Sequence, residues 1–139
     1  MISGVGGLAL ALAVAIATPA AAAEIIASCY GPESPNATSS GEPFSWTCHT
    51  RDGFCTAAHR TLPFGTFVRL VNPDNGRTIV VRINDRGPFH RDKRTHLYDR
   101  EIDLTDGACD RLKFSRLGPL QLEVLPGKPW IPKHGDMGF

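Results

Sequence analysis

The stretch that decides the fold is TAAHRTLPFGTFVRLVNPDNGRTIVVRINDRGPF, residues 56–89. Within it, two runs of β-branched and apolar residues, 67–72 and 78–84, flank Pro-Asp-Asn-Gly, whose residue types favour a tight turn. The pattern therefore predicts a β-hairpin. His59 precedes the first strand and Asp85 follows the second. The two side chains are either ordinary turn residues or members of one site at which the strand ends converge.

The rest of the chain also has the pattern of short strands. A first strand is predicted at 25–30, a brief one at 102–104 and a last one, with alternating apolar and polar residues, at 119–125. Two polar loops, 31–53 and 90–100, separate these strands. Short strands joined by long loops favour a small closed barrel, because closure leaves no exposed strand edge.

One or two short helices are expected, one of them after the strand at 102–104. Thr105 has the chemistry of a helix N-cap, and Ala108, Cys109 and Leu112 would share one face of the helix. The chain is 139 residues long and shows no repeat, so it is interpreted as one mainly β domain at 24–125 with an extended tail at 126–139.

Residues 1–23 are uncharged, apolar and end in small residues, as in a secretory signal peptide cleaved after Ala23. Their strongly apolar part is shorter than the roughly 20 residues that a membrane-spanning helix needs. The segment 26–29 loosely resembles a lipidation box that would place a lipid on Cys29. Because Glu24 stands where such a box should be apolar, the lipoprotein alternative is disfavoured. Export to the periplasm or the medium is predicted.

Four cysteines in an exported chain predict two disulfides. Sequence alone does not choose among the three possible pairings. The preferred set is Cys48–Cys55, which closes a short loop, with Cys29–Cys109, which ties the first strand to a late element. A zinc site is the alternative, but the cysteines lack the close pairs of structural zinc sites. No metal or other cofactor is predicted.

The charge pattern excludes some classes of partner. The net charge is +1 and both signs are mixed along the chain, so no broad field for nucleic acid or an anionic membrane exists. The segment 90–100 contains several cations that could meet an anionic wall polymer, but acidic residues interleave with them. A solvated surface loop is the preferred interpretation, and a monomer is expected.

Three titratable residues, Glu42, His59 and Asp85, lie beside turns and are the candidates for catalysis. Each also has an ordinary explanation: a solvated loop charge, a structural histidine, or an aspartate that bonds its own turn. Two aromatic residues, Tyr30 and Trp46, could stack on sugar rings, although Trp46 could equally pack within the loop closed by Cys48 and Cys55.

Six motifs, in this order, resemble the rare lipoprotein A (RlpA) family. They are A-S-x-Y-G (27–31), S-G-E-x-F (40–44), T-A-A-H-R-T-L-P-F-G-T (56–66), V-x-I-N-D-R-G-P-F (81–89), I-D-L-T (102–105) and L-E-V-L (122–125). The resemblance covers nearly all of residues 26–125. It implies a six-stranded double-psi β-barrel, related in fold to expansins and to some lytic transglycosylases.

The resemblance also implies a function, the cleavage of peptidoglycan glycan strands, preferably those stripped of stem peptides. Cleavage between N-acetylmuramic acid and N-acetylglucosamine needs an acid for the leaving oxygen. The same group then acts as the base that activates the sugar's C6 hydroxyl, giving a 1,6-anhydro product. Asp85 is the preferred acid/base. Glu42 shares this role or sets the protonation of Asp85, and His59 orients a carboxyl or the substrate. Tyr30, Arg86 and Trp46 are the expected substrate-binding residues.

The chain departs from the family pattern at several points. The segment between Glu42 and His59 is enlarged and carries two cysteines, a second enlargement follows Phe89, and Cys29 replaces an aromatic residue. Substrate range, or activity itself, could therefore differ. The alternatives are a non-catalytic, expansin-like module that binds and loosens polysaccharide, and an exported interaction or inhibitor domain on the same barrel.

Overall fold

The computed structural model describes residues 4, 6–14, 22–34 and 37–130. The elements in these residues are β1 (Ala23–Tyr30), β2 (Cys55–His59), β3 (Phe67–Val71), β4 (Thr78–Asp85), β5 (Ile102–Thr105), α1 (Asp106–Leu112) and β6 (Leu117–Val124). Part of the predicted leader (1–3, 5 and 15–21) and the end of the predicted tail (131–139) lie outside the described residues.

The six strands form a closed barrel in the order β1-β5-β2-β4-β3-β6. Two pairs, β1 with β5 and β2 with β4, are parallel, and the other neighbours are antiparallel. The predicted hairpin is confirmed as β3 and β4, with Phe67 opposite Arg82 and Val71 opposite Thr78. Gly76 in its turn has a φ of 72°, a conformation that suits glycine. The predicted mainly β barrel is therefore confirmed.

Strand β2 was not predicted, because no element was assigned to Thr56 to His59. The structure places this segment between β5 and β4, with Ala57 fully buried and Ala58 only 4% exposed. Alanine has a low intrinsic preference for strands, and a strand covered on both faces shows no alternation of polar and apolar residues. Tertiary packing, which sequence periodicity does not report, forms this strand.

Alternate residues of the strands fill the barrel interior and the rest face outward. The inward set forms one core cluster that includes Ala27, Ala57, Val68, Leu70, Val81, Ile83, Ile102, Leu104 and Leu120. The helix closes one side of this core with Ala108, Cys109 and Leu112, the face predicted for it. Thr105 is the N-cap residue as predicted, although its side chain makes no capping hydrogen bond. The predicted last strand is present, with Leu120 buried and Val124 39% exposed.

Two disulfides, Cys29–Cys109 and Cys48–Cys55, join all four cysteines in the preferred pairing. The first links β1 to α1 across 80 residues of chain and the second closes a loop across 7. Because the Cys29 sulfur is in a disulfide, it is not free to carry a lipid. Residues 44–55 are called the disulfide loop below. Among residues 4, 6–14, 22–34 and 37–130, no helix has both the length and the apolar character that a transmembrane segment requires.

The disulfide loop docks directly on the helix. The Gly107 N–H donates to the Trp46 carbonyl at 2.8 Å. A Cβ at Gly107 would lie 3.0 Å from the backbone nitrogen of Cys48, which is closer than ordinary van der Waals contact. Glycine at this position therefore allows the loop to approach α1, and the loop covers part of the outer surface of the barrel.

Candidate active site

A β-bulge at the end of β4 sets the direction of Asp85. Ala57 of β2 is opposite Ile83, but the next residue, Ala58, is opposite Asp85, so Asn84 is an extra residue in β4. A bulge of this kind increases the local twist and changes where the following side chain points. As a result, Asp85 shares a register position with Ala58 on the outer face of the barrel, whereas Ile83 belongs to the core.

A second aspartate, Asp103, shares that register position from the other side. In the antiparallel pairing of β2 with β5, Ala58 is also opposite Asp103, and Asp103 is in turn opposite Ser28 of β1. Four adjacent strands thus form a row, Ser28–Asp103–Ala58–Asp85, which is called the carboxyl row below. Neighbouring strands are about 4.8 Å apart, so the two aspartate Cα atoms are roughly 10 Å apart with only an alanine methyl between them.

The loop at 31–53 holds Asp85 in place from outside the barrel. One oxygen of Asp85, Oδ1, accepts hydrogen bonds of 2.9 Å from the Ser39 N–H and from the Arg86 N–H. The Ser40 N–H donates to the Asn84 carbonyl at 3.2 Å, which anchors the same loop to the bulge. The other oxygen, Oδ2, accepts no hydrogen bond from the residues that the structure describes. Its capacity to accept hydrogen bonds is therefore unused by these residues.

The environment of Asp103 favours its neutral form. Burial raises the pKa of this carboxyl above the ordinary aspartate value, and the negative charges of Asp85 and Asp106 raise it further. A 2.9 Å hydrogen bond from the Ser28 hydroxyl to Oδ1 and the positive charge of Arg100 act in the opposite direction. The net effect is a raised pKa, as expected for a carboxyl that has to hold a proton.

Tyr30, predicted to bind substrate, lies beside both aspartates. Its ring packs against Phe44 of the disulfide loop, with 5.1 Å between the ring centroids. Its hydroxyl is buried and has no hydrogen-bond partner among the described residues. Burial raises the pKa of this phenol, and the charges of Asp85 and Asp103 add to the effect. The hydroxyl is thus a donor without a partner, next to the carboxyl row.

Glu42 is held in an ion pair and is not available as a proton donor in this arrangement. The two terminal nitrogens of the Arg82 guanidinium donate to its two oxygens, each at 2.7 Å, and Asn84 Nδ2 donates to one of them at 3.1 Å. Arg82 Nε donates to Asp52 of the disulfide loop at 2.8 Å. The hydrogen bonds from Arg82 are the main cause that lowers the pKa of Glu42, so the carboxylate is charged near neutral pH.

We predict that Glu42→Gln lowers the free energy of unfolding at pH 7 by about 1–2 kcal/mol, because it breaks a bidentate, partly buried ion pair. The pKa of Glu42 is lowered by folding, so this stabilisation is present above the unfolded-state pKa and is lost as the pH falls through the folded-state pKa. Urea unfolding at pH 7 and at pH 3 measures both values. The loss should be clear at pH 7 and small at pH 3.

The matched control for this prediction is Glu123→Gln. Glu123 accepts a single 2.8 Å hydrogen bond from Arg69, whose side chain is 43% exposed. A surface pair of this type contributes little, and a change below about 0.5 kcal/mol is expected. Equal losses for the two variants would show that the Glu42 ion pair does not stabilise the loop on the barrel.

His59 lies at the rim of the barrel as a neutral ring. Its Nδ1 accepts hydrogen bonds from the Thr61 N–H at 3.1 Å and the Leu62 N–H at 3.0 Å, which places the ring proton on Nε2. Burial is the largest cause that lowers the pKa of His59, and the charge of Arg60 also lowers it. His59 can therefore donate a hydrogen bond through Nε2 but is a poor source of positive charge.

Arg86, expected to bind substrate, is largely engaged with the protein. It donates to the carbonyls of His59 at 3.1 Å and Leu62 at 2.8 Å, and its guanidinium lies 3.9 Å from the centroid of the Phe64 ring. These contacts fix the turn that follows β2. The structure therefore gives Arg86 a clear role in positioning the backbone around His59.

A cavity of about 750 Å³ lies between the barrel and the disulfide loop. Its lining includes Glu42, Asp52 and Arg82 from the ion-pair network, together with Phe44 and Arg51 of the loop. Trp46, a predicted substrate-binding residue, is 46% exposed but does not line this cavity. The cavity thus contains the predicted Glu42 and adds Asp52, whereas the predicted Asp85 and Tyr30 lie outside its lining, beside Asp103. The sequence patterns did not identify Asp52 or Asp103 as site residues.

The closed six-stranded barrel, with its two parallel strand pairs, defines the class of the protein as a double-psi β-barrel. The model of a family described as "Lytic transglycolase" matches residues 22–124, and the chain belongs to this family.

Curated relatives agree with this assignment. A protein of Nostoc sp. named "Probable endolytic peptidoglycan transglycosylase RlpA" is 54% identical over 72 residues, which are 50% of this chain and 18% of that protein. A Yersinia pestis protein named "Endolytic peptidoglycan transglycosylase RlpA" is 40% identical over 105 residues, 75% of this chain and 26% of the relative. This chain therefore spans about a quarter of the length of the Yersinia pestis protein.

Among solved structures, the Streptomyces papain inhibitor has a similar fold. The TM-score is 0.54, with 17% sequence identity over 77% of this chain and 96% of the inhibitor. At this identity the similarity supports the fold alone.

Proposed function

We propose that this chain is an exported lytic transglycosylase that cleaves the bond between N-acetylmuramic acid and N-acetylglucosamine in peptidoglycan glycan strands. The observation that supports it most directly is the position of Asp85, which a β-bulge places on the outer face of the barrel with one oxygen held by two backbone N–H groups. The other oxygen, Oδ2, accepts no hydrogen bond from the described residues and is the atom proposed to meet the substrate. The family membership and the names of the relatives point to the same reaction class.

The reaction needs proton transfer and charge stabilisation rather than a protein nucleophile. A carboxyl protonates the glycosidic oxygen as positive charge develops on the N-acetylmuramic acid ring. A carboxylate then takes the proton of the C6 hydroxyl, whose oxygen bonds to C1 and closes the 1,6-anhydro ring. Asp85 is the residue proposed to exchange a proton with the substrate.

The surrounding residues would position the substrate and the loops. The ion pair of Glu42 with Arg82 holds the loop that donates the Ser39 N–H to Asp85. The Nε2–H of His59 is a donor suited to sugar hydroxyl or N-acetyl oxygens, and the partly exposed Tyr30 would contact the sugar through its ring. The proposed preferred substrate is glycan stripped of stem peptides, as the family resemblance implies.

We also infer that the chain acts outside the cytoplasm, after removal of residues 1–23. The uncharged leader and the two disulfides are the features that support export, since disulfides persist in oxidising compartments. The disulfide at Cys29 argues against anchoring through a lipid at that residue.

The test is digestion of purified sacculi, both intact and stripped of stem peptides, by the oxidised mature protein. Mass spectrometry of the soluble products should find glycan fragments with 1,6-anhydro ends, released faster from the stripped material. Reducing ends in place of anhydro ends would indicate a hydrolase. Binding to sacculi without any released fragment would reject the enzymatic proposal in favour of a polysaccharide-binding module.

A further inference from the structure

We propose that the reaction uses two carboxyl groups with divided roles: Asp103 donates the proton to the glycosidic oxygen, and Asp85 accepts the proton of the C6 hydroxyl. This inference rests on the proposed function and extends it, because it assigns a catalytic role to a residue outside the predicted set of Glu42, His59 and Asp85. It is carried by the carboxyl row, in which two aspartates flank one alanine on the outer face of the barrel.

The geometry leaves room for a nucleophile between the two groups. Asp103 and Asp85 are both opposite Ala58, so their side chains leave the sheet on the same face, on either side of a methyl group. In inverting glycosidases the two carboxyls are roughly 6.5–9.5 Å apart, which leaves space for a water molecule. Here the corresponding space would hold the sugar's own C6 hydroxyl, because the reaction forms an internal ring.

The surroundings of the two carboxyls differ in the way that the two roles require. Asp103 is half-buried and lies beside other carboxylates, and these surroundings raise its pKa although a hydrogen bond from the Ser28 hydroxyl lowers it. Asp85 accepts two backbone N–H hydrogen bonds on Oδ1, an arrangement that suits an ionised acceptor. Two carboxyls whose environments differ in this way are typical of an acid and base pair.

The two aspartates, the substrate and water account for every proton that moves in the reaction. The O–H bond of Asp103 breaks and its proton bonds to the glycosidic oxygen, whose bond to C1 breaks with the electron pair leaving on the N-acetylglucosamine side. The C6 oxygen then bonds to C1, and the proton of its hydroxyl moves to Asp85 Oδ2. After product release, Asp85 loses this proton to water and Asp103 regains one from water, so that no other reactant is needed.

The first test compares Asp103→Asn, Asp85→Asn and the control Asp110→Asn on two substrates. One substrate is stripped sacculi, and the other is a glycan chain that ends in a 2,4-dinitrophenyl glycoside of N-acetylmuramic acid, whose leaving group needs no proton. Asp103→Asn should lose activity on sacculi by about 100-fold or more but stay within about tenfold of wild type on the aryl glycoside. Asp85→Asn should lose activity on both. Asp110, exposed on α1, should be replaceable without effect.

The results separate failure of the proposed transglycosylase function from failure of the divided roles of Asp103 and Asp85. If wild type releases no anhydro ends, the proposed function fails, and the division of roles fails with it. If wild type is active and Asp103→Asn cleaves sacculi within threefold of the wild-type rate, only the division of roles is overturned. Equal losses on both substrates would also overturn the donor role. Unchanged circular dichroism and a thermal midpoint at pH 7 no lower than wild type exclude misfolding as the cause.

A second test uses the pH dependence of the rate and does not depend on replacing Asp103. The charged and titratable groups that face Asp103 are Asp85, Asp106, Arg100 and Tyr30, and the Ser28 hydroxyl bonds it directly. Ser28→Ala removes a hydrogen bond that lowers the pKa of Asp103, so that pKa should rise. Because Asp103 acts in its protonated form, the alkaline limb of the profile should move to higher pH. An alkaline limb identical in Ser28→Ala and wild type would overturn the assignment.

Discussion

Asp85→Asn should reduce the release of anhydro ends from sacculi by a factor of at least about 100, the usual size of a general acid or base contribution. The amide oxygen of asparagine can still accept the hydrogen bonds from the Ser39 and Arg86 N–H groups, so the loop geometry should be kept. An amide cannot take up the proton of the C6 hydroxyl. The measurement is the initial rate of fragment release at equal concentrations of folded protein.

The control for this prediction is Asp74→Asn at the opposite end of β4. Asp74 is exposed in the β3–β4 turn, and its carboxylate is far in sequence from the bulge that positions Asp85. Wild-type activity is expected for this variant. If Asp85→Asn released fragments at more than about a third of the wild-type rate, Asp85 would not be the residue that exchanges a proton with the substrate.

Among the variants proposed here, removal of the Cys29–Cys109 disulfide should cause the largest decrease in the free energy of unfolding. The bond closes a segment of 80 residues that includes β2 to β5. The loop-entropy model gives a loss of about 4–5 kcal/mol for a segment of that length, because the unfolded chain gains freedom when the link is removed. For Cys29→Ala with Cys109→Ala we expect the thermal midpoint to fall by roughly 15 °C. Calorimetry under non-reducing conditions measures this.

The second disulfide provides the matched comparison. Cys48–Cys55 closes a segment of only 7 residues, for which the same model gives about 2 kcal/mol. Cys48→Ala with Cys55→Ala should therefore be the milder double variant. A larger loss for the short segment would contradict the entropic explanation. It would instead indicate that the docking of the disulfide loop on α1 provides most of the stabilisation.

Where local chemistry dominates, sequence reasoning predicted the fold correctly. The β3–β4 hairpin follows from a turn whose residue types set the backbone angles, and α1 follows from apolar residues at helical spacing. The prediction failed at β2, because small residues buried on both faces have no periodicity. The preferred disulfide pairing was right, but it was a choice among three that only the positions of β1 and α1 decide.

The candidate site was only partly accessible to sequence reasoning. Glu42, His59 and Asp85 were identified from motifs, and their assigned roles stay predictions. The bonding of Glu42 to Arg82, and of Arg82 to Asp52, joins residues from three separate segments. Asp103 lay in a recognised motif, I-D-L-T, but nothing in that motif indicates that its carboxylate shares a register position with Asp85. Its alternation between Ile102 and Leu104, both fully buried, was the one available signal that it points outward.

The sequence by itself determined the β-rich barrel, the hairpin, the number of disulfides and the family resemblance, because each depends on neighbouring residues or on ordered motifs. Only the tertiary structure decided which side chains meet. The side-chain direction of a strand alternates with every residue, so the single extra residue Asn84 changes the face to which Asp85 belongs. That shift places Asp85 level with Asp103 across Ala58. The pairing of strands distant in sequence therefore creates the two-carboxyl arrangement.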